Sequence, residues 1–256
     1  MAGDSVWVIV VAGGAGRRYG RTKQFELLGG RPVHSWAVEA ARSVADGVVL
    51  VVPAQFEVVG LEGRGGDGAG TPRAIGRCAP GAVARGPDIV VRGGETRAAS
   101  VRAGLRAVPP DTGVIVVHDA ARPLASPSLF EAVVRAVRGG ARGAVPGLGI
   151  PDTVKQVEGN LVRGTIDRRE LVRVQTPQGF TAEVLRRAHA GEPEATDDSS
   201  LLEALGIEVV VVEGEEHNLK ITTPPDLALA EWWLKHRAAF GGAPDPAGAA
   251  WKIGPE

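Results

Sequence analysis

The sequence predicts an α/β fold built on a mainly parallel, doubly wound sheet with a projecting β-hairpin arm. Three observations carry that expectation. Short β-branched runs recur along the chain, apolar at nearly every position. Helical segments with start signals separate them, and glycine-rich or charged turns follow two of the runs directly. A run apolar at every position suits a strand covered on both faces. Strands alternating with helices argue for parallel pairing through crossover helices.

The elements follow in order. Val6 to Ala12 (VWVIVVA) reads as the first buried strand, and Gly13 to Gly20 is the loop after it. Pro32 opens a helix running to about Ala45, since a proline is tolerated in a first turn. Val48 to Val52 is a second strand ended by Pro53. Residues 60–87 are rich in Gly, Arg, Pro and Ala without period and read as a mobile surface insertion. Asp88 to Val91 starts a third strand, Thr96 to Val108 is helical, and Val114 to Val117 is a strand leading into His118 to Pro123. Ser126-Pro127 is an N-cap and first-turn signal for a helix to about Arg138.

A strand lies near Ala144, and then residues 151–174 break the rhythm. Val154 to Val157 and Leu161 to Val162 flank Glu158-Gly159-Asn160, the pattern of a hairpin. Such an arm often meets a second subunit. Thr181 to Ala190 and Thr196 to Leu205 read as helices, Ile207 to Val212 as a strand, and Leu219 to Thr222 as a short extended segment. Pro224 to about Arg237 is the last helix. Residues 1–237 form one domain, and the Gly/Pro/Ala-rich stretch 238–256 is a disordered tail.

Composition narrows the function classes. With 256 residues the chain can bury one sizeable core. No apolar run approaches the ~20 residues of a membrane helix. The first residues lack the basic and apolar regions of a signal peptide, and the single cysteine fits a reducing cytoplasm. Cys78 is the only cysteine, so neither an internal disulfide nor a cysteine-built metal site is available. The net charge of −1 gives no general electrostatic case for nucleic acid or a membrane surface.

In a parallel sheet, ligands sit beyond the carboxyl ends of the strands. Two segments there carry chemistry. Ala12, Gly13, Gly14 and Gly16 let backbone approach a ligand and turn N–H groups toward phosphate oxygens, while Arg17, Arg18 and Lys23 add positive charge. That set suits a polyphosphate. No Gly-Lys-Ser/Thr follows, and the glycine spacing misses the dinucleotide fingerprint by one residue. The plainer alternative is a tight turn with solvated arginines. In the second segment, His118-Asp119-Ala120-Ala121-Arg122-Pro123, Asp119 can hold a metal or a substrate hydroxyl, or simply pair with Arg122. His118, alone on a buried strand, reads as structural. Between the two, Gly93-Gly94-Glu95-Thr96-Arg97-Ala98-Ala99-Ser100 has glycines before a helix and a hydroxyl one turn in, which by itself is an ordinary helix start.

The glycine-rich loop resembles the A-A-G-x-G-x-R-M…P-K-Q signature of sugar-nucleotide and 2-C-methyl-erythritol 4-phosphate (MEP) nucleotidyltransferases, with Gly13, Tyr19 and Thr22 as departures. H-D-A-A-R-P is the most specific match and is characteristic of MEP cytidylyltransferases and their pentitol-phosphate cousins. Further matches are Gly93 to Ser100 with G-G-x-x-R-x-x-S, Asp152-Thr153-Val154-Lys155, Asp167-Arg168, Thr176-Pro177-Gln178, Thr196-Asp197-Asp198 and Asn218-Leu219-Lys220-Ile221-Thr222. Lys220 lies in an apolar stretch, where a lysine is costly unless it meets an anion. The resemblance spans Val6 to about Leu234.

The resemblance implies a Rossmann-like nucleotidyltransferase fold and transfer of a cytidylyl group from CTP to MEP with release of pyrophosphate. It puts Ala12, Gly13, Gly14, Gly16, Arg18 and Lys23 on the triphosphate side, and Gly94, Glu95 and Ser100 around cytosine and ribose. Arg168, Thr176 and Lys220 would hold the acceptor phosphate. Asp119 and Thr196 would meet its hydroxyls, with Thr153 and Arg122 lining the same pocket. Arg18, Lys23 and Lys220 would be the catalytic cations. Magnesium would bridge the triphosphate oxygens, with Asp119 as the protein's candidate ligand. The arm would complete a homodimer. Two other readings stay open: a ribitol 5-phosphate cytidylyltransferase, and a non-catalytic nucleotide-binding regulator.

Overall fold

The computed structural model describes residues 3–13, 23–56 and 86–236. Gly14, Gly16 and Arg18, nearly all of the 60–87 insertion, and the 238–256 tail lie outside the described residues.

The chain enters through β1 (Val6–Val11), then a small hairpin of β2 (Leu27–Leu28) and β3 (Arg31–Pro32), α1 (Val33–Ala41) and β4 (Gly47–Val52). It continues with β5 (Ile89–Arg92), α2 (Arg97–Ala107), β6 (Val114–Asp119), α3 (Pro127–Arg138) and β7 (Gly143–Gly149). The arm is β8 (Val154–Glu158) and β9 (Leu161–Ile166). Then come β10 (Val172–Val174), β11 (Gln178–Thr181), α4 (Ala182–Ala188), α5 (Ser199–Ala204), β12 (Val209–Glu213) and α6 (Pro224–His236).

The central sheet is mixed and mostly parallel. Strands β5, β4, β1 and β6 lie side by side and parallel. The antiparallel β11 joins β6 to β7. The antiparallel β10 shares that flank of β7, and the parallel β12 takes its other side as an edge strand.

The all-apolar runs serve both faces, as period-2 geometry requires. Val6, Val8 and Val10 of β1 point into one core, with Ala37 and Val38 of α1 and Phe130, Val133 and Val137 of α3. Ile9 and Val11 point into the other, with Val101 and Leu105 of α2, Val184 and Leu185 of α4, and Leu201 and Leu202 of α5. Helices therefore cover both faces, as expected. A third cluster, Leu28, Val33, Ile221 and Ala230, seats α6 against the β2–β3 hairpin.

Several boundaries differ from the sequence expectation. Helix α1 ends at Ala41 rather than near Ala45. Thr181 closes a strand, β11, that sequence reading does not foresee. A run of Gln-Gly-Phe-Thr is too short and too poor in β-branched residues to announce itself. Gly179 is required there, because a Cβ would collide with Val133 of α3. Helix α5 starts at Ser199 rather than Thr196, since the Asp197 carboxylate accepts the Ser200 N–H and so ends the non-helical lead-in. The segment Leu219 to Thr222 joins no strand; the Ile221 N–H donates to the Ala121 carbonyl at 2.8 Å, and the Thr222 N–H donates to Asp226 Oδ2 at 2.7 Å. The hairpin runs further than expected, with Glu158 paired to Leu161 and Val154 to Ile166.

Candidate active site

The parallel strands bring their carboxyl ends to one edge of the sheet. Backbone bonds continue the ladder past the strands: the Ala12 N–H to Val51 O at 2.7 Å, the Gly93 N–H to Val52 O at 2.7 Å, and the Ala120 N–H to Val11 O at 3.0 Å. Ala12–Gly13, Gly93–Gly94 and Asp119–Arg122 thus meet at the same edge. A Cβ on Gly13 or Gly93 would meet the Ser100 hydroxyl at 2.8 or 2.6 Å. The missing side chains let Ser100 fill the crevice between the two turns. Its hydroxyl donates to the Thr96 carbonyl at 2.9 Å, one turn back. Thr96 caps α2 by accepting the Ala99 N–H at 3.1 Å, and Glu95 is exposed just before it.

Asp119, the last residue of β6, is the electrostatic centre. Its Oδ2 lies 2.6 Å from Lys220 Nζ, and its Oδ1 accepts from Arg97 Nε at 3.2 Å. Burial alone would raise this carboxyl, but Arg97 and Lys220 outweigh it and hold it well below the usual carboxylate range. Lys220 remains half-exposed, with 41 % of its side chain open, so its ammonium can face both Asp119 and an incoming anion.

Beneath Asp119, His118 is fully buried, and burial pushes it down to about 4, with Asp119 opposing. It is therefore neutral at pH 7. Its Nε2 lies 3.1 Å from the Arg122 carbonyl, an acceptor only, so Nε2 carries the proton. Nδ1 must then accept, and the group facing it at 3.1 Å is the Thr176 hydroxyl. Thr176 Oγ1 also accepts the Asp119 N–H at 3.0 Å. Its proton is thus committed to His118. The expected donation from Thr176 to an acceptor phosphate differs from this arrangement, in which the hydroxyl fixes the backbone of Asp119 instead.

The loop carrying Lys220 is anchored by Asn218, which is fully buried. Its Nδ2 donates to the Thr176 carbonyl at 2.9 Å, and its own carbonyl accepts Arg122 Nη1 at 2.7 Å. Gln175 donates to the Glu215 carbonyl at 2.8 Å and accepts the Glu215 N–H at 3.0 Å. Arg122 is half-buried; burial lowers its guanidinium, and Asp119 opposes. The H-D-A-A-R, T-P-Q and N-L-K-I-T segments, far apart in sequence, are thereby one bonded unit.

Other expected residues are not tied into this unit by any described hydrogen bond. Thr153 and Arg168 are exposed, at the base of the arm and just beyond β9. Strands β8 and β9 pair only with each other, and no described hydrogen bond ties Thr153 or Arg168 to Asp119 or Lys220. Thr196 is exposed. Lys23 opens a short 3-10 turn, Lys23–Phe25, and its side chain lies outside what the structure describes. Arg97 and Asp198 join Asp119 although sequence reading gives them no role. Both lie inside quoted motifs, but nothing in the spacing shows that 101 residues apart they meet at 2.7 Å.

The described residues do not by themselves build a magnesium site. Among them no three His, Cys, Asp or Glu side chains gather as a metal-holding group. Each Asp119 oxygen already faces a cation, Arg97 on one side and Lys220 on the other.

The chain is similar to known proteins over nearly all of its length. The profile of the 2-C-methyl-D-erythritol 4-phosphate cytidylyltransferase family matches residues 6–236. A 2-C-methyl-D-erythritol 4-phosphate cytidylyltransferase of Nocardia farcinica is 44 % identical over 241 residues, covering 92 % of this chain and 96 % of the relative. One from Streptomyces coelicolor is 42 % identical, covering 90 % and 84 %. The crystal structure of the Thermus thermophilus enzyme of that name superposes with a TM-score of 0.70 at 33 % identity, covering 90 % of this chain and 99 % of that one.

Proposed function

The chain belongs to the 2-C-methyl-D-erythritol 4-phosphate cytidylyltransferase family, and we propose that it performs that reaction by positioning and charge neutralisation at the carboxyl edge of the sheet. It is a nucleotidyltransferase whose substrates are CTP and MEP. A phosphate oxygen of MEP attacks the α-phosphorus of CTP, the bond from that phosphorus to the bridging oxygen breaks, and pyrophosphate leaves. The acceptor is a phosphate monoester with a second pKa of about 6. It is largely a dianion at pH 7 and needs no protein base. The obstacle is repulsion between two anions, which preorganised cations remove. The observation that carries this reading is the half-exposed Lys220, held by Asp119 beside the glycine turns.

By the family's motif, Ala12, Gly13, Arg18 and Lys23 serve the triphosphate, and the Gly94 to Ser100 turn receives the nucleoside. Lys220 and Arg168 hold the acceptor phosphate, Asp119 and Thr196 meet its hydroxyls, and Thr153 and Arg122 line the same pocket. Magnesium would enter with the triphosphate and neutralise charge on the leaving pyrophosphate. The single cysteine suits the cytoplasm.

Pyrophosphate release from CTP is expected with magnesium and MEP, and to be far slower with ribitol 5-phosphate. Faster release with ribitol 5-phosphate would move the chain to the pentitol branch. CTP binding without release on either acceptor would make it a regulator.

The protein acts as a homodimer in which the arm reaches the neighbour's site. The support is a two-stranded arm that leaves Val157 59 %, Leu161 55 % and Val162 61 % exposed. Apolar surface of this kind on a projecting element marks an interface. A Leu161→Asp/Val162→Asp variant is expected to sediment as a monomer with turnover reduced by about tenfold or more, as a displaced Arg168 would cause. A monomeric wild type with full activity would refute the arrangement.

A further inference from the structure

Behind Asp119 runs a line of bonded polar groups, Arg97, Asp198 and His189, that the reaction as described does not use. Lys220 Nζ meets Asp119 Oδ2 at 2.6 Å, and Asp119 Oδ1 meets Arg97 Nε at 3.2 Å. Arg97 Nη1 meets Asp198 Oδ2 at 2.7 Å, and Asp198 Oδ1 meets His189 Nε2 at 2.9 Å. The line starts at the half-exposed lysine and ends in the interior, where the Asp198 side chain is 1 % and that of His189 2 % exposed. Its members come from the Lys220 loop, β6, the first turn of α2, the lead-in to α5 and the end of α4.

We propose that Arg97 is a positioning residue for the acceptor side of the site, aiming the Asp119 carboxylate at Lys220 while Asp198 and His189 hold the guanidinium in place. A carboxylate at a strand end can swing about its side-chain bonds. Bonding one oxygen to a planar, permanently charged group stops that rotation. Arg97 is itself long and mobile, and its first helical position leaves the side chain free to turn. The bond to a buried Asp198, oriented in turn by His189, removes that freedom. The geometry therefore reads outward from the core: His189 sets Asp198, Asp198 sets Arg97, Arg97 sets Asp119, and Asp119 sets Lys220. Arg97 is held above the usual arginine range, because Asp119 and Asp198 outweigh the effect of burial. Without it, two buried carboxylates would share the space with one cation fewer, and Asp119 would become easier to protonate.

This inference rests on assigning Asp119 and Lys220 to the acceptor. Its test is steady-state kinetics of full-length Arg97→Met and Arg97→Lys proteins beside Asp119→Asn and Lys220→Ala, with melting curves. Arg97→Met is expected to raise KM for MEP by roughly tenfold, the scale of one charge-assisted hydrogen bond, while KM for CTP stays within about twofold. A new acid limb in kcat/KM for MEP should appear, and Arg97→Lys should fall between. A lowered melting point with MEP kinetics unchanged would reduce Arg97 to a structural brace and overturn the proposal. If Arg97→Met does not fold, Arg97→Lys decides on the same criterion. Unchanged KM for MEP in Asp119→Asn and Lys220→Ala would overturn the site assignment, and this inference with it. A rise in those two without one at Arg97 would sink this inference alone.

Discussion

Replacing Lys220 by alanine is expected to lower turnover about a hundredfold, with folding and CTP binding retained. Lys220 combines exposure with a fixed direction at the carboxyl edge of the sheet, its Nζ 2.6 Å from Asp119 with 41 % of the side chain open. An ammonium held in place before the substrates arrive costs no reorganisation when charge builds on the α-phosphate. Losing one such oriented stabiliser costs on the order of a hundredfold, or about 2.7 kcal/mol of barrier. Lys23→Ala should lose a similar factor from the triphosphate side. Lys220→Arg separates charge from geometry. It keeps the cation but spreads it over a planar fork, so partial recovery is the expected result. Steady-state pyrophosphate release checks all three, and a folded Lys220→Ala protein at full turnover would remove Lys220 from the chemistry.

The second large effect concerns pH. Stability should fall as pH drops from about 6.5 toward about 4, because His118 is folded in its neutral form and pushed down to about 4 by burial. Between those values the unfolded chain binds a proton that the folded chain refuses. The contribution is therefore complete above about 6.5 and lost progressively as pH falls. A span of that size corresponds to about 3 kcal/mol. His34, whose ring is likewise lowered by burial against the opposing Gln24 carbonyl, adds a loss in the same direction. The carboxylates held low, Asp119, Glu215 and Asp197 among them, act only below the ordinary carboxylate range. The interval from pH 6.5 to 5 thus reports the histidines. A His118→Gln protein should be less stable at pH 7, since the Thr176 hydroxyl loses its acceptor, but its stability should change less across that interval. Chemical denaturation of both proteins at pH 5, 6 and 7 measures this, and equal slopes would contradict it.

Much of the fold was legible because burial on both faces leaves a plain mark. VWVIVVA, VVLVV and VIVV become β1, β4 and β6. The Ser126-Pro127 signal starts α3 where expected, with the Ser126 hydroxyl accepting the Leu129 N–H at 3.1 Å. The arm was legible from a glycine between two β-branched segments, and Gly159 adopts a φ of +60°, as a tight hairpin turn favours. What escaped was short or set by context. Strand β11 has four residues, one of them a glycine, and only the slot between β6 and β7 makes it a strand.

The site divides along the same physical line. Local chemistry was written in residue type and order: glycines where backbone must come close, cations beside them, an aspartate at a strand end. Those are properties of one segment and survive in a linear reading. Which donor meets which acceptor is not such a property. The Thr176 hydroxyl, expected at a phosphate, spends its proton on His118, and Arg97, taken as part of a helix start, links Asp119 to Asp198. A hydrogen bond depends on a few tenths of an ångström and on direction. The chain acquires those only when the sheet order places β6, β11 and the loops after β5 and β12 at one edge.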